Sequence, residues 1–208
     1  MAAAEYDIHP VAHLRLLSGQ HKVSDAGGTG ITDQYYVFSA INKTSGREES
    51  ILCGIAAARD LLAITGADPL PLFDPLKHLP EPTAGSEREQ ARQGESKPPR
   101  PDPDVSRKWH PEMLELFNGA MLLITAWDAE AGTPLFRLVE SCRKWFWLEP
   151  YIDKIEQLNR IVGKDAKYRS MDGVVRDLKR TNPALKSFTF DRLRERLYKE
   201  RPGVKVYI

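Results

Sequence analysis

The sequence predicts an α+β protein: a small N-terminal strand-containing module built from a β-hairpin and a helix, a long polar proline-rich linker or loop, and a predominantly helical C-terminal part. Three observations predict it. Residues 34–53 alternate aromatic and β-branched side chains around a turn, residues 79–107 are almost devoid of apolar side chains, and residues 111–200 repeat apolar residues at three- and four-residue spacing.

Taken in order, Pro10 to Leu17 is expected as a short helix and Asp25-Ala26-Gly27-Gly28-Thr29-Gly30 as a flexible loop. Gln34 to Ile41 sets Tyr36, Phe38 and Ala40 against Tyr35, Val37 and Ile41, the period of a strand. Asn42-Lys43-Thr44-Ser45-Gly46 is turn chemistry, and Glu48 to Cys53 resumes an extended apolar run, so the two pair as a hairpin. Gly54 to Thr65 shifts to helical spacing and Gly66 stops it. Three prolines between Ala67 and Pro75 forbid a helix there, so Leu70, Leu72 and Phe73 are expected to pack as an extended arm over the core.

Leu79 to Arg107 cannot offset its ordering entropy by burial and reads as a disordered linker or surface loop, with polyproline II geometry near Pro98 to Pro103. Beyond it, Pro111 and Glu112 open a helix to about Ala126, and Thr133-Pro134 opens a second with Leu135, Leu138, Val139, Cys142, Trp145 and Phe146 on its apolar face. Pro150 interrupts that run. Tyr151 to Val162 follows as a helix, then Ser170 caps a helix to Arg180, and Ser187 or Thr189 caps a last helix to about Glu200. Val204 to Ile208 is expected as a closing strand. This divides the chain into a small α+β module at 1–78, a linker or loop at 79–107, and a helical module at 108–208 ending in a basic helix pair. The alternative is one domain, with the Leu70 to Leu76 arm and the last strand crossing between the halves.

With 41% hydrophobic residues in 208, the chain can bury a core. Its longest mostly apolar stretch, Gly119 to Trp127, is nine residues, against roughly twenty for a membrane span. No secretory leader is recognisable at Met-Ala-Ala-Ala-Glu-Tyr-Asp, so a soluble cytoplasmic protein without membrane contact is expected. Cys53 and Cys142 are the only cysteines, and His9, His13, His21, His78 and His110 do not fall at ligand spacing around them, so neither a metal nor another cofactor is expected.

Charge carries the functional reading. Residues 151–208 hold 15 Lys/Arg against 8 Asp/Glu, net +7, and residues 1–150 hold 15 against 21, net −6. A basic helical segment suits an anionic partner, DNA or RNA first. The two last helices have the outline of a helix-turn-helix. Thr189, Asp191 and Arg192 would approach base edges, Lys179, Arg180 and Lys186 would meet phosphates, and Arg194, Arg196 and Lys199 would extend the positive face. The competing reading is a solvated helix hairpin whose arginines pair with Glu195 and Glu200. The expected role is therefore a non-enzymatic binding or regulatory protein.

A cysteine-dependent enzyme is the alternative, because Cys53 sits where a strand becomes a helix and backbone N–H groups lower a thiol's pKa. His78 or His110 would be its base and Asp60, Asp68 or Asp74 the orienting group, whereas a buried structural cysteine is the plain reading. A structural or assembly subunit that binds another protein is the third. The Gly27 to Gly30 run precedes a strand and lacks phosphate-loop context, Glu48 and Glu49 have no second carboxylate motif, and Trp145-Phe146-Trp147 fits core packing better than base stacking.

Overall fold

Strand β4 (Gln34–Asn42) is the middle of an antiparallel three-stranded sheet, with β1 (Tyr6–Arg15) on one edge and β5 (Glu48–Gly54) on the other. The computed structural model describes residues 5–76, 108–130, 132–167 and 169–208; the expected linker at 79–107, with His78, lies outside the described residues. The hairpin forms as its alternation requires, Tyr36 facing Cys53 and Phe38 facing Ile51 across the strands. The segment expected as a helix at 10–17 is instead most of β1. Val11, Ala12 and Leu14 gain a partner strand in β4, and Pro10 is tolerated because β1 is an edge. Register slips between Pro10 and Ala12, a bulge that leaves the Val11 carbonyl free to accept from the Arg143 guanidinium.

Both faces of the sheet are covered. Tyr36, Phe38 and Cys53 point toward helix α1 (Ile55–Thr65), which ends at Gly66 in the left-handed conformation (φ 66°). Val11, Leu14, Tyr35 and Val37 point the other way, into a helical layer. That layer is centred on α2 (Pro111–Trp127), with α3 (Pro134–Lys144), α4 (Ile152–Val162), α5 (Met171–Thr181) and α6 (Asp191–Glu200) around it. Proline opens both α2 and α3, and the Ser170 hydroxyl accepts the Gly173 N–H at the start of α5, as their sequences require. Gly119 lets α2 sit at the centre: a Cβ there would lie 2.9 Å from Leu158 on α4 and 3.3 Å from both Met171 and Phe190. A short ribbon of β2 (Lys22–Val23) and β3 (Gly30–Ile31) carries the glycine loop.

The proline-rich arm lies where its apolar residues demanded, along the outer edge of β1. Phe73 donates its N–H to His13 O (2.9 Å) and accepts from Arg15 N (3.2 Å), and Leu76 bridges to Leu185. The closing segment 204–208 is not a strand. Asn159, 3% exposed, takes its backbone groups instead, accepting from Tyr207 N (2.6 Å) and Ile208 N (3.3 Å) and donating to Lys205 O (2.9 Å). No helix among the described residues is long and apolar enough to cross a membrane.

One interior joins the two ends of the chain: Leu14, Tyr35, Val37 and Phe73 share a cluster with Leu116, Leu123, Phe136 and Leu138. His9 on β1 also meets Glu140 on α3 at 2.9 Å. The shared interior supports the single-domain alternative to modules at 1–78 and 108–208. Protease cleavage confined to 79–107 should therefore give fragments that co-migrate under native conditions and unfold when separated in denaturant. Two fragments that refold independently would instead support separate modules at 1–78 and 108–208.

Candidate functional site

The basic C-terminal residues are brought to the protein's acids more than to a common face. Helix α6 packs on α4 and α2, and α5 packs on α2. Arg192 pairs with the buried Glu115 of α2 at 2.8 Å, and Glu115 also accepts the Leu193 N–H. Arg194 holds Asp172, Asp191 and the Ile208 backbone oxygen. Arg196 reaches Glu112 (2.7 Å), Glu149 (2.8 Å), Glu200 (3.0 Å) and the Pro150 carbonyl (2.9 Å). The Lys186 ammonium donates to the Asp74 carbonyl at 2.6 Å. Lys179, Arg180, Thr189 and Lys199 are exposed, and none of the three cations makes an ion pair among the described residues. The last helix begins at Asp191 with Phe190 as its N-cap and no side-chain cap from Ser187 or Thr189.

Cys53 does lie at a strand-to-helix junction, with Gly54 as the N-cap of α1, yet it is fully buried beside Tyr36, Phe38 and Ala58. Burial, reinforced by Asp25, pushes its thiol up to about 11, opposite to the shift a nucleophile needs. His110 lies at the start of α2, its N–H donating to the Phe146 carbonyl, and no hydrogen bond joins it to Cys53 among the described residues. Asp60 and Asp68 are exposed, and Asp74 pairs with Arg15 at 2.8 Å. Cys53 is expected to resist iodoacetamide at pH 7 until the protein unfolds; rapid alkylation of the folded protein would revive its candidacy.

A different place on the fold has the shape of a site. Helix α3 ends at Lys144, earlier than its apolar spacing implied, and the chain turns through Trp145, Phe146 and Trp147 before Pro150 lets α4 begin. The offset between the helices leaves a cavity of about 450 Å³ between α2, α3 and the first turn of α4. Met113, Leu116, Leu138, Cys142 and Leu148 make its apolar walls, with Ser141, Trp145, Glu149, Tyr151 and Lys154 also lining it. Trp145 (44%), Leu148 (43%) and Tyr151 (80%) are more exposed than large apolar residues usually are. Burial drives the Cys142 thiol up to about 12, against the opposing pull of Lys154 and Arg143, so it serves as wall and not as nucleophile.

A second, more polar cavity of about 490 Å³ lies between the glycine loop and the start of α1, with Asp33 and Asp60 in its lining. Those carboxylates oppose the phosphate that a glycine loop and a helix N-terminus otherwise invite. Among the described residues no cluster of His, Cys, Asp and Glu is arranged to hold a metal ion. The apolar cavity had one signal in the sequence, the Pro150 break between two amphipathic helices, but its walls combine residues 138–154 with the distant Met113 and Leu116.

A family model described as uncharacterised conserved protein UCP028583 matches residues 2–208. No curated protein and no solved structure matches the chain.

Proposed function

We propose for this chain, which belongs to the uncharacterised conserved protein family UCP028583 over residues 2–208, a non-enzymatic binding role centred on the cavity between α2, α3 and α4. The supporting observation is the cavity itself. Its volume of about 450 Å³ falls within the roughly 300–1,000 Å³ of small-molecule sites, which are likewise apolar with a few polar groups. Exposed aromatic and aliphatic side chains at its rim offer a ligand something to close against. The desolvated Cys53 and Cys142 thiols favour binding over cysteine catalysis.

The neutral fluorophore N-phenyl-1-naphthylamine tests this reading. One equivalent should bind saturably with enhanced emission, and Ser141→Trp, which fills the cavity from its half-exposed wall, should abolish binding while leaving the thermal midpoint within a few degrees of wild type. Absence of saturable binding to the wild-type protein would remove the cavity from consideration.

Nucleic-acid binding through the basic end is the second reading, favoured by Lys179, Arg180 and Lys199, which are exposed and make no ion pair among the described residues. Each of these cations that meets a phosphate should add about −0.9 to the log–log salt slope on duplex DNA. An electrophoretic shift titration at two salt concentrations checks it, and no shift at low salt ends it.

A further inference from the structure

Resting on that reading of the cavity, we propose that its ligand is an amphiphile with an aliphatic body and a singly charged anionic head, of the carboxylate class, seated against Lys154. The walls of Met113, Leu116, Leu138 and Leu148 select an apolar body. Two charged residues line the cavity, Glu149 and Lys154, and they are not equivalent. Glu149 is 60% exposed and turned to Arg196 at 2.8 Å, a guanidinium it shares with Glu112 and Glu200.

Lys154 is half-buried, and among the described residues its ammonium makes no ion pair or hydrogen bond. The acids nearest it in sequence are all engaged elsewhere. Asp153 pairs with Arg201 at 2.7 Å, and Glu156 pairs with Arg160 at 3.1 Å and Arg201 at 3.2 Å. A cation with no ion pair among the described residues therefore stands at an apolar cavity, and its charge reaches inward far enough to favour the charged form of the Cys142 thiol.

Two further features point the same way. The first turn of α4 lines the mouth, carries no side-chain cap at Tyr151 and has its one acid, Asp153, paired with Arg201 at 2.7 Å, so the helix dipole adds positive potential there. The Ser141 hydroxyl, also on the wall, makes no hydrogen bond among the described residues and is free to donate to an anionic oxygen. One ammonium and one hydroxyl suit a monoanion; a doubly charged head would remain undercompensated.

Competition against N-phenyl-1-naphthylamine tests the inference, with decanoate, decanol and decyltrimethylammonium as the probes. In wild type, decanoate and decanol should both displace the fluorophore and decyltrimethylammonium should do so poorly. Lys154→Met should weaken decanoate by about tenfold, the factor that about 1.4 kcal/mol represents, and leave decanol within about twofold. Lys154→Arg, which keeps the charge, should retain most of the decanoate affinity. Equal loss for decanoate and decanol, or no change for decanoate while decanol still binds, would overturn the anionic head and leave the cavity reading standing. Failure of the fluorophore itself to bind would overturn the cavity reading and this inference together.

Discussion

Arg196→Ala is expected to destabilise the folded protein by about 2–3 kcal/mol, less than the roughly 3–5 kcal/mol of breaking a fully buried ion pair. The Arg196 side chain is only 15% exposed and Glu112 is 17% exposed, so removing the guanidinium strands a largely buried carboxylate and leaves the Pro150 carbonyl without its donor. Glu112 lies in the first turn of α2, where the helix dipole tolerates a negative charge, and this keeps the cost from being larger. Glu149 and Glu200 are 60% and 38% exposed and add little. Arg196→Lys should restore only part of the loss, because a single ammonium cannot reproduce a planar fork shared by several oxygens. Urea unfolding measures both variants. A midpoint for Arg196→Ala indistinguishable from wild type would mean that this ion-pair network is solvated decoration, and would return Arg196 to the pool of cations available for nucleic acid.

Asn159→Leu should cost more, about 3–5 kcal/mol. The amide of Asn159 satisfies two backbone N–H groups and one carbonyl of residues 205–208 from inside the fold. Each buried group left unpaired costs about 1–3 kcal/mol. The tail has an escape, since it can peel away and find water, but that also gives up the Met171 N–H bond to the Tyr207 carbonyl (2.7 Å) and the seat of the Tyr207 ring over Gly163. A Cβ at Gly163 would lie 2.7 Å from that ring, which shows how closely the tail is laid down. Hydrogen exchange at the Tyr207 amide should rise with the loss of stability. Unchanged stability together with unchanged protection of that amide would show that the tail is held by something other than Asn159.

The elements that read correctly from sequence are those whose signals are local. The hairpin around Asn42 to Gly46, the Gly66 stop, the prolines opening α2 and α3 and the Ser170 cap each depend on residues within a few positions of one another. Those that misread depend on partners far away. Pro10 to Leu17 has the composition of a helix and becomes strand because β4 offers it a ladder; Val204 to Ile208 has the composition of a strand and is claimed by one asparagine. The basic end illustrates the same limit. A +7 excess is visible in the chain, but not that Arg192 and Arg196 find Glu115 and Glu112, about eighty residues earlier. The apolar cavity was hidden because α3 stops at Lys144, and the turn that replaces its last residues exposes Trp145, which helical spacing had assigned to the core.

The cover that α2 and α3 lay over the sheet also dictates an order of events during synthesis. The contacts that close the sheet's inner face, His9 to Glu140 and Arg143 to Val11, span 131 and 132 residues. The strands are finished at Gly54, whereas α3 is finished only at Lys144. At about 5–20 residues per second, a ribosome leaves that face without its lid for several seconds. Val11, Leu14, Tyr35 and Val37 spend that interval uncovered, and transiently exposed apolar surface of this kind invites association with neighbouring chains. The nascent N-terminal portion is thus the stage of this protein's life most in need of a chaperone, and slow translation past Gly54 should lower its soluble yield.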